Sequence, residues 1–302
     1  MTFRRYAAER IALSVLVLAG SVFLAFLTVR LANAPDSARP EHARYVDGDA
    51  FLARFWDYVS GLLRGSLGTS IHRGSDLTVP LLEASTVTLS VAAGALVFGL
   101  LLGLPAGVLW GRHRRFGAIA RLVLYGAFGV ATLWPLFTLT YWLSLRAEIL
   151  PLTGYCDFFN PATDCGGLVE WARHLLLPWI CLGIIPATVY ARGAKALVVR
   201  GDREAAAAAA AERPAVRARA RARIAITFAQ AIGRDVGFLV GAALFVEYWF
   251  GLPGLGRTMF AGLAFDPPLA VGALVLAALI ALAADLVVNL VGAALTPMWR
   301  TR

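Results

Sequence analysis

Lysine is almost absent from this chain: of its 28 basic residues one, Lys195, is lysine. Alanine follows it, so there is no GxxxxGK[ST] loop to cradle nucleotide phosphates, and the chain cannot hydrolyse nucleotide by itself. Histidine is nearly as scarce. His42, His72, His113 and His174 are scattered over loops and span ends with no HExxH pair, and the three cysteines lack CxxC spacing. Neither pattern makes a metal site, and no cofactor motif appears. The chain has no GxSxG elbow and no serine paired with a base, so a polytopic membrane enzyme would need a constellation assembled from distant spans. Charge is thin as well, 16% of residues against about 25% in soluble domains.

Apolar residues fill the gap, at 59% of the chain with a mean hydropathy of +0.69. Six runs are long enough to cross a bilayer, which takes about 20 residues: Ile11–Leu31, Thr86–Trp110, Phe116–Leu145, His174–Val199, Ile224–Phe250 and Leu269–Leu295. The expected fold is an all-α polytopic membrane protein with six transmembrane helices. Ala32-Asn33-Ala34 imitates a cleavage site, but the first run exceeds a signal-peptide core and reads as an uncleaved span. A net charge of +9 would suggest nucleic acid in a soluble protein. Here the arginines flank spans, which points to topology and the lipid bilayer, with no nucleic acid partner. The N-terminus, the 111–121 loop, the 200–223 loop and the tail are arginine-rich. The alternate loops balance arginine with acid, so both termini are expected in the cytoplasm.

Within the first external loop, Asp49–Leu63 spaces Phe51, Leu52, Phe55, Trp56, Tyr58, Val59, Leu62 and Leu63 by mostly three and four residues. That predicts an amphipathic helix lying along the membrane surface or over the bundle. Pro105, Pro135, Pro178 and Pro186 predict kinks, and Gly94, Gly99, Gly103 and Gly107 permit close helix contacts. Cys156 and Cys165 have eight residues between them in an external loop, and either a disulfide or two free thiols fits that spacing. Cys181 reads as a small buried apolar residue.

Ionisable residues inside spans are costly and face the bundle or water. Arg234, Asp235 and Glu247 lie in the fifth run, Asp285 and Asn289 in the sixth. Counting 1.5 Å per residue from the outer ends puts Arg234 and Asp285 both about 24 Å deep on antiparallel neighbours. They can pair, leaving Asp235 for a polar pathway or another subunit, or the pair is scaffold only.

Val198–Arg223 is the longest charged interruption between apolar runs. Seven alanines, Ala205–Ala211, follow Asp202-Arg203-Glu204 and precede Glu212-Arg213-Pro214. Alanine propensity and acidic residues at the start predict a helix over Asp202–Arg213. Pro214 ends it and can open another. A docking hairpin and a solvated connector both fit that composition.

Two segments resemble one known family. Gly65-Ser66-Leu67-Gly68-Thr69-Ser70-Ile71 is similar to GDLGxSL, and the stretch from Val246 to Gly256 is similar to VExxFGLPGLG, through Glu247, Phe250, Gly251, Leu252, Pro253, Gly254 and Gly256. Leu150–Gly154 looks like LPxxG, His174–Pro178 like HLxLP, and Asp266-Pro267 sits where the pattern has an acid and a proline. The family is the permease subunits of ABC importers, in the branch serving dipeptides, oligopeptides and nickel. The resemblance implies a type I importer fold in the cell membrane and no catalysis by this subunit. It also implies as partners a second homologous permease subunit, two cytoplasmic ATPase subunits and an external substrate-binding protein.

The alanine segment would then be the ATPase-coupling loop, through Asp202, Glu204, Ala205, Ala206, Glu212, Arg213 and Pro214. Glu204-Ala205-Ala206 matches the family's EAA, but no glycine occurs between Gly201 and Gly233, where the pattern has one. Residues 1–83 would form the first span and external loop, 84–295 the five-helix transmembrane domain, and 296–302 a tail. The resemblance favours peptide cargo, with nickel or another small solute as alternatives. A self-sufficient channel or secondary transporter, using the intramembrane charges as a relay, is the competing class. If Arg234 and Asp285 do pair, reversing either charge abolishes membrane assembly and reversing both restores it, as read by native electrophoresis of extracted membranes.

Overall fold

The computed structural model describes residues 3–33, 51–112, 137–157, 165–210 and 235–295. Regular structure among the described residues is helical, apart from an isolated antiparallel bridge between Thr69 and Asp76. In chain order the elements are α1 (Phe3–Asn33), α2 (Phe51–Leu63), α3 (Thr78–Arg112), a π-helical turn (Thr140–Arg146) and α4 (Leu168–Ala210). After these come α5 (Asp235–Phe250), α6 (Leu255–Phe265) and α7 (Pro267–Leu295).

Four stretches are long and apolar enough to cross a membrane: Arg5–Val29, Thr78–Arg112, Leu168–Val199 and Pro267–Val291. They match the first, second, fourth and sixth expected spans. Most of the third, Phe116–Leu145, lies outside the described residues, as does the start of the fifth up to residue 234. The remainder of the fifth is α5, which bends by 70° into α6. Helix α6 occupies a segment read from sequence as loop. A second difference concerns α4, which runs unbroken through Gly201 to Ala210, so the alanine segment continues the span rather than starting a new helix. One glycine costs a helix only about 1 kcal/mol relative to alanine, and the alanine run beyond it favours propagation.

The chain divides into two compact units, Phe3–Ser90 with Val240–Leu286, and Val91–Leu239 with Val287–Arg302. In the first, Val22, Ala25, Phe26 and Val29 of α1 meet Ala270, Val271 and Val275 of α7. Phe55, Tyr58, Val59 and Leu62 of α2 pack on that cluster, with Phe26 edge-on to Phe55 at 5.9 Å and to Tyr58 at 5.1 Å. From Phe51 to Leu63 the sequence periodicity is thus a helix with one face on α1 and α7. Leu13, Val15, Leu16 and Leu24 of α1 stay exposed, as lipid-facing side chains do.

The second unit is held by small residues. Gly99, Gly103, Gly107 and Gly111 of α3 lie against Gly183, Ala187, Ala191 and Val198 of α4. A Cβ at Gly103 would come within 2.5 Å of the Ala187 carbonyl oxygen, and one at Gly107 would run into that of Ala191. Backbones this close gain dispersion and shed no water, the way helices associate in lipid. Where the ladder ends, Lys195 places its ammonium 4.0 Å from the centroid of the buried Trp110 ring.

Gly107→Leu is therefore expected to lower the apparent Tm of the detergent-extracted chain by several degrees. Gly20→Leu on α1, where a Cβ meets nothing within 4 Å, should leave it unchanged. Fluorescence-detected size exclusion after heating reads both.

Candidate functional site

The VExxFGLPGLG-like stretch folds into an elbow held by hydrogen bonds from both sides. Helix α5 stops because Gly251 adopts φ +65°, where a side chain would be strained. Gly251 donates its N–H to Tyr248 O at 3.3 Å, and Leu252 donates to Glu247 O at 2.9 Å, the paired bonds of a Schellman motif. Pro253 follows where the helix cannot continue.

Helix α6 then starts with its own orphan N–H groups to satisfy. Its N-cap, Gly254, has no side chain to offer, and two groups from elsewhere in the unit substitute. Gly256 donates to Glu247 Oε2 at 2.7 Å, and Leu255 donates to Thr88 Oγ1 of α3 at 3.0 Å. Glu247 is completely buried, and its carboxylate sits at the positive end of the α6 dipole. A Cβ on Gly254 would run into that carboxylate, and one on Gly256 into the Leu244 carbonyl. Outside the elbow, Arg257 Nη1 donates to Gly251 O at 2.8 Å.

The other end of α6 is clasped by the GDLGxSL-like stretch. Ser70 Oγ donates to Asp266 Oδ2 at 2.5 Å, Ile71 N donates to Asp266 Oδ1 at 3.2 Å, and His72 Nε2 lies 2.5 Å from Phe265 O. Asp266 also starts α7 by accepting the Leu269 N–H at 2.9 Å. A tight loop presents Ser70. Leu77 N donates to Gly68 O at 3.0 Å, and Gly68 has φ +107°. Asp76 accepts the Thr78 N–H at 2.7 Å at the head of α3, and bonding to the Thr78 hydroxyl holds its carboxyl below the usual range. Family-like segments from well-separated parts of the chain thus meet on one short helix, pinned at both ends.

In the other unit, Leu150–Gly154 and His174–Pro178 also come together. Gly154, at φ +103°, lies beside the His174 ring, and Arg173 reaches the Ile149 carbonyl at 3.3 Å. Burial raises the Tyr155 phenol above its ordinary pKa. Cys156 and Cys165 have Cα atoms 5.2 Å apart, with their sulfurs at bonding contact. Asp235, half-buried, faces the buried Tyr190 of α4. Asp285 and Asn289 stand a turn apart on α7, both half-buried. Asp202, Glu204, Ala205 and Ala206 lie on the last turns of α4. Glu212, Arg213, Pro214 and Arg234 lie outside the described residues, and with Arg234 the proposed Arg234–Asp285 pair.

Among the described residues no cluster of histidine, cysteine and carboxylates could hold a metal ion. Thr88 was missed from sequence, since a hydroxyl in an apolar run carries no signal for a partner 167 residues away. The capping role of Glu247 was missed too. A carboxylate seven residues before a glycine that begins an apolar helix was the available clue.

Among the described residues, four long apolar helices and one apolar helix pair bent by 70° define the class of an all-α polytopic membrane protein. No family model matches the chain. It is 30% identical over 324 positions to the oligopeptide transport system permease protein OppB of Mycobacterium bovis, covering 98% of this chain and 99% of that one. The dipeptide transport system permease protein DppB of Alkalihalophilus pseudofirmus is 23% identical, over 97% of this chain and 98% of its own. Escherichia coli K12 DppB is 25% identical, over 82% and 80%. The chain belongs to the dipeptide and oligopeptide ABC transport permease family, and is a multi-pass membrane protein.

Leaving a buried helix N–H without its acceptor costs roughly 1–3 kcal/mol. Glu247→Ala should accordingly lower the apparent Tm of the extracted protein by several degrees. Glu247→Gln, which keeps an acceptor oxygen, should lower it less. Equal Tm values for Glu247→Ala and the parent would refute the capping assignment.

Proposed function

We propose that this chain is the transmembrane permease subunit of an ATP-driven importer, forming half of a translocation pathway for dipeptides or oligopeptides. One observation carries the reading: the relative named as an oligopeptide permease aligns across 98% of this chain. In this reading the six spans form a type I importer fold with both termini cytoplasmic, supported by the arginine-rich loops. ATP hydrolysis falls to two separate cytoplasmic subunits. A second homologous permease completes the pathway and an external binding protein delivers cargo. We assign residues 1–83, 84–295 and 296–302 to the external-loop region, transmembrane domain and tail, and a disulfide to Cys156 and Cys165.

The form of α4 supports a mechanism. At 1.5 Å per residue its 43 residues extend about 65 Å, against a hydrocarbon core of about 30 Å. The part beyond Val199, with Asp202, Glu204, Ala205 and Ala206, is a rigid arm, and we assign Glu212, Arg213 and Pro214 to the same ATPase-coupling loop. Because α4 is locked to α3 through glycine–carbonyl contacts, displacement of the arm moves a helix pair rather than bending one helix. Closure of the ATPases can then bias the outward- and inward-open states, provided their contacts with the arm differ between the two.

Replacing Ala205–Arg213 by a Gly/Ser linker is expected to abolish co-purification of the ATPase subunits and ATP-dependent peptide uptake, while the chain still accumulates in the membrane. Retained ATPase assembly would sink the coupling assignment.

A further inference from the structure

We propose that α2 is an interfacial anchor whose Leu52–Trp56–Leu63 stripe is seated in the lipid leaflet at the Asn33 end of α1. At about 100° per residue, the α2 surface divides into three sectors. Phe55, Tyr58, Val59 and Leu62 turn toward α1 and α7. Leu52, Trp56 and Leu63 form the adjoining sector and are 63%, 64% and 85% exposed. Ser60, Ala53, Asp57 and Gly61 follow as a third sector with no large apolar side chain. The apolar arc is thus wider than the bundle covers, and its uncovered edge holds a tryptophan, the residue most at home at a membrane interface.

The depth of the contact selects lipid as the occupant. Phe55 touches α1 at Phe23 and Phe26, with ring centroids 5.9 Å apart in each case. The apolar span of α1 continues to Val29, six residues past Phe23, or about 9 Å further along the helix. A helix resting wholly above the membrane would meet α1 beyond Val29, and both Phe23 and Phe26 lie before it. Phe23 and Leu24 are themselves exposed on α1, and Trp56 stacks edge-on to Phe55 at 5.5 Å. The lipid-facing surface of α1 therefore runs without interruption onto Trp56. A soluble partner arriving from water would meet Asp57 and Ser60 first.

The inference rests on α1 being embedded, so its test carries a reference on α1. Single cysteines at Leu52, Trp56 and Leu63, at Asp57 and Gly61, and at Leu16 are spin-labelled in the full-length chain, in phosphatidylcholine–phosphatidylglycerol vesicles. Gly61 suits the purpose because a Cβ there meets nothing within 4 Å. Signal from the labelled parent chain is subtracted. Collision with oxygen, which concentrates in lipid, is compared with collision with a water-soluble nickel chelate. The oxygen-to-nickel ratio should be higher at 52, 56 and 63 than at 57 and 61, and should approach that at 16. If position 16 is lipid-accessible while 56 and 63 collide with nickel as 57 does, the stripe faces water and the proposal fails alone. Protection of 52, 56 and 63 from both reagents would mean a protein occupant, and also overturns it. A water-accessible position 16 would bring down the embedding of α1 as well. Should Trp56→Cys fail to accumulate, Leu52→Cys and Leu63→Cys read the same stripe.

Discussion

A carboxylate with no exposure to solvent is the constraint around which one of the two units is arranged. Glu247 lies at a depth where isolated charge is costly, and it accepts from a backbone amide of the next helix. It is tolerable because the start of a helix is short of acceptors, and α6 has a glycine where a capping side chain would normally stand. The bend between α5 and α6 and the buried carboxylate therefore require each other. Straightening the elbow would strand both the carboxylate and the α6 amides. The Schellman turn at Gly251 and the Ser70–Asp266 clasp then fix where α6 points and where α7 begins.

The two units rely on different physics. Around the elbow, directional hydrogen bonds from residues far apart in sequence set the geometry. Between α3 and α4 the absence of side chains does so, since glycines let one backbone approach another. Directional bonds fix an angle, and a ladder of small residues fixes a distance. A transport subunit that must change state without coming apart needs both.

Legibility in the sequence followed the range of the interaction. Four of the spans could be read because twenty apolar residues in a row are a one-dimensional signal. The α2 pattern and the glycine spacing could be read because helical periodicity is local. Helix α6 could not, since the glycines and proline around Pro253 look like loop when the carboxylate that caps the next helix is out of view. Thr88 and Ser70 make bonds spanning 167 and 196 residues, and no periodic pattern marks such a pair. The resemblance to a permease family did mark Glu247 and Asp266 as belonging to motifs, but the roles of those residues came only from the geometry. Helicity from Asp202 to Ala210 was legible from the alanines, but its continuity with the span through Gly201 was not, because an acidic cluster looks locally like a helix start.

The seat of Lys195 on Trp110 has a practical side. Since arginine supplies every other basic side chain apart from the histidines, this ammonium is the one side-chain amine in the chain. Acylating dyes would mark it in the native sequence, with no engineered handle. The reactivity of that amine would report whether it stays on the ring when the Ala210 end of α4 is loaded.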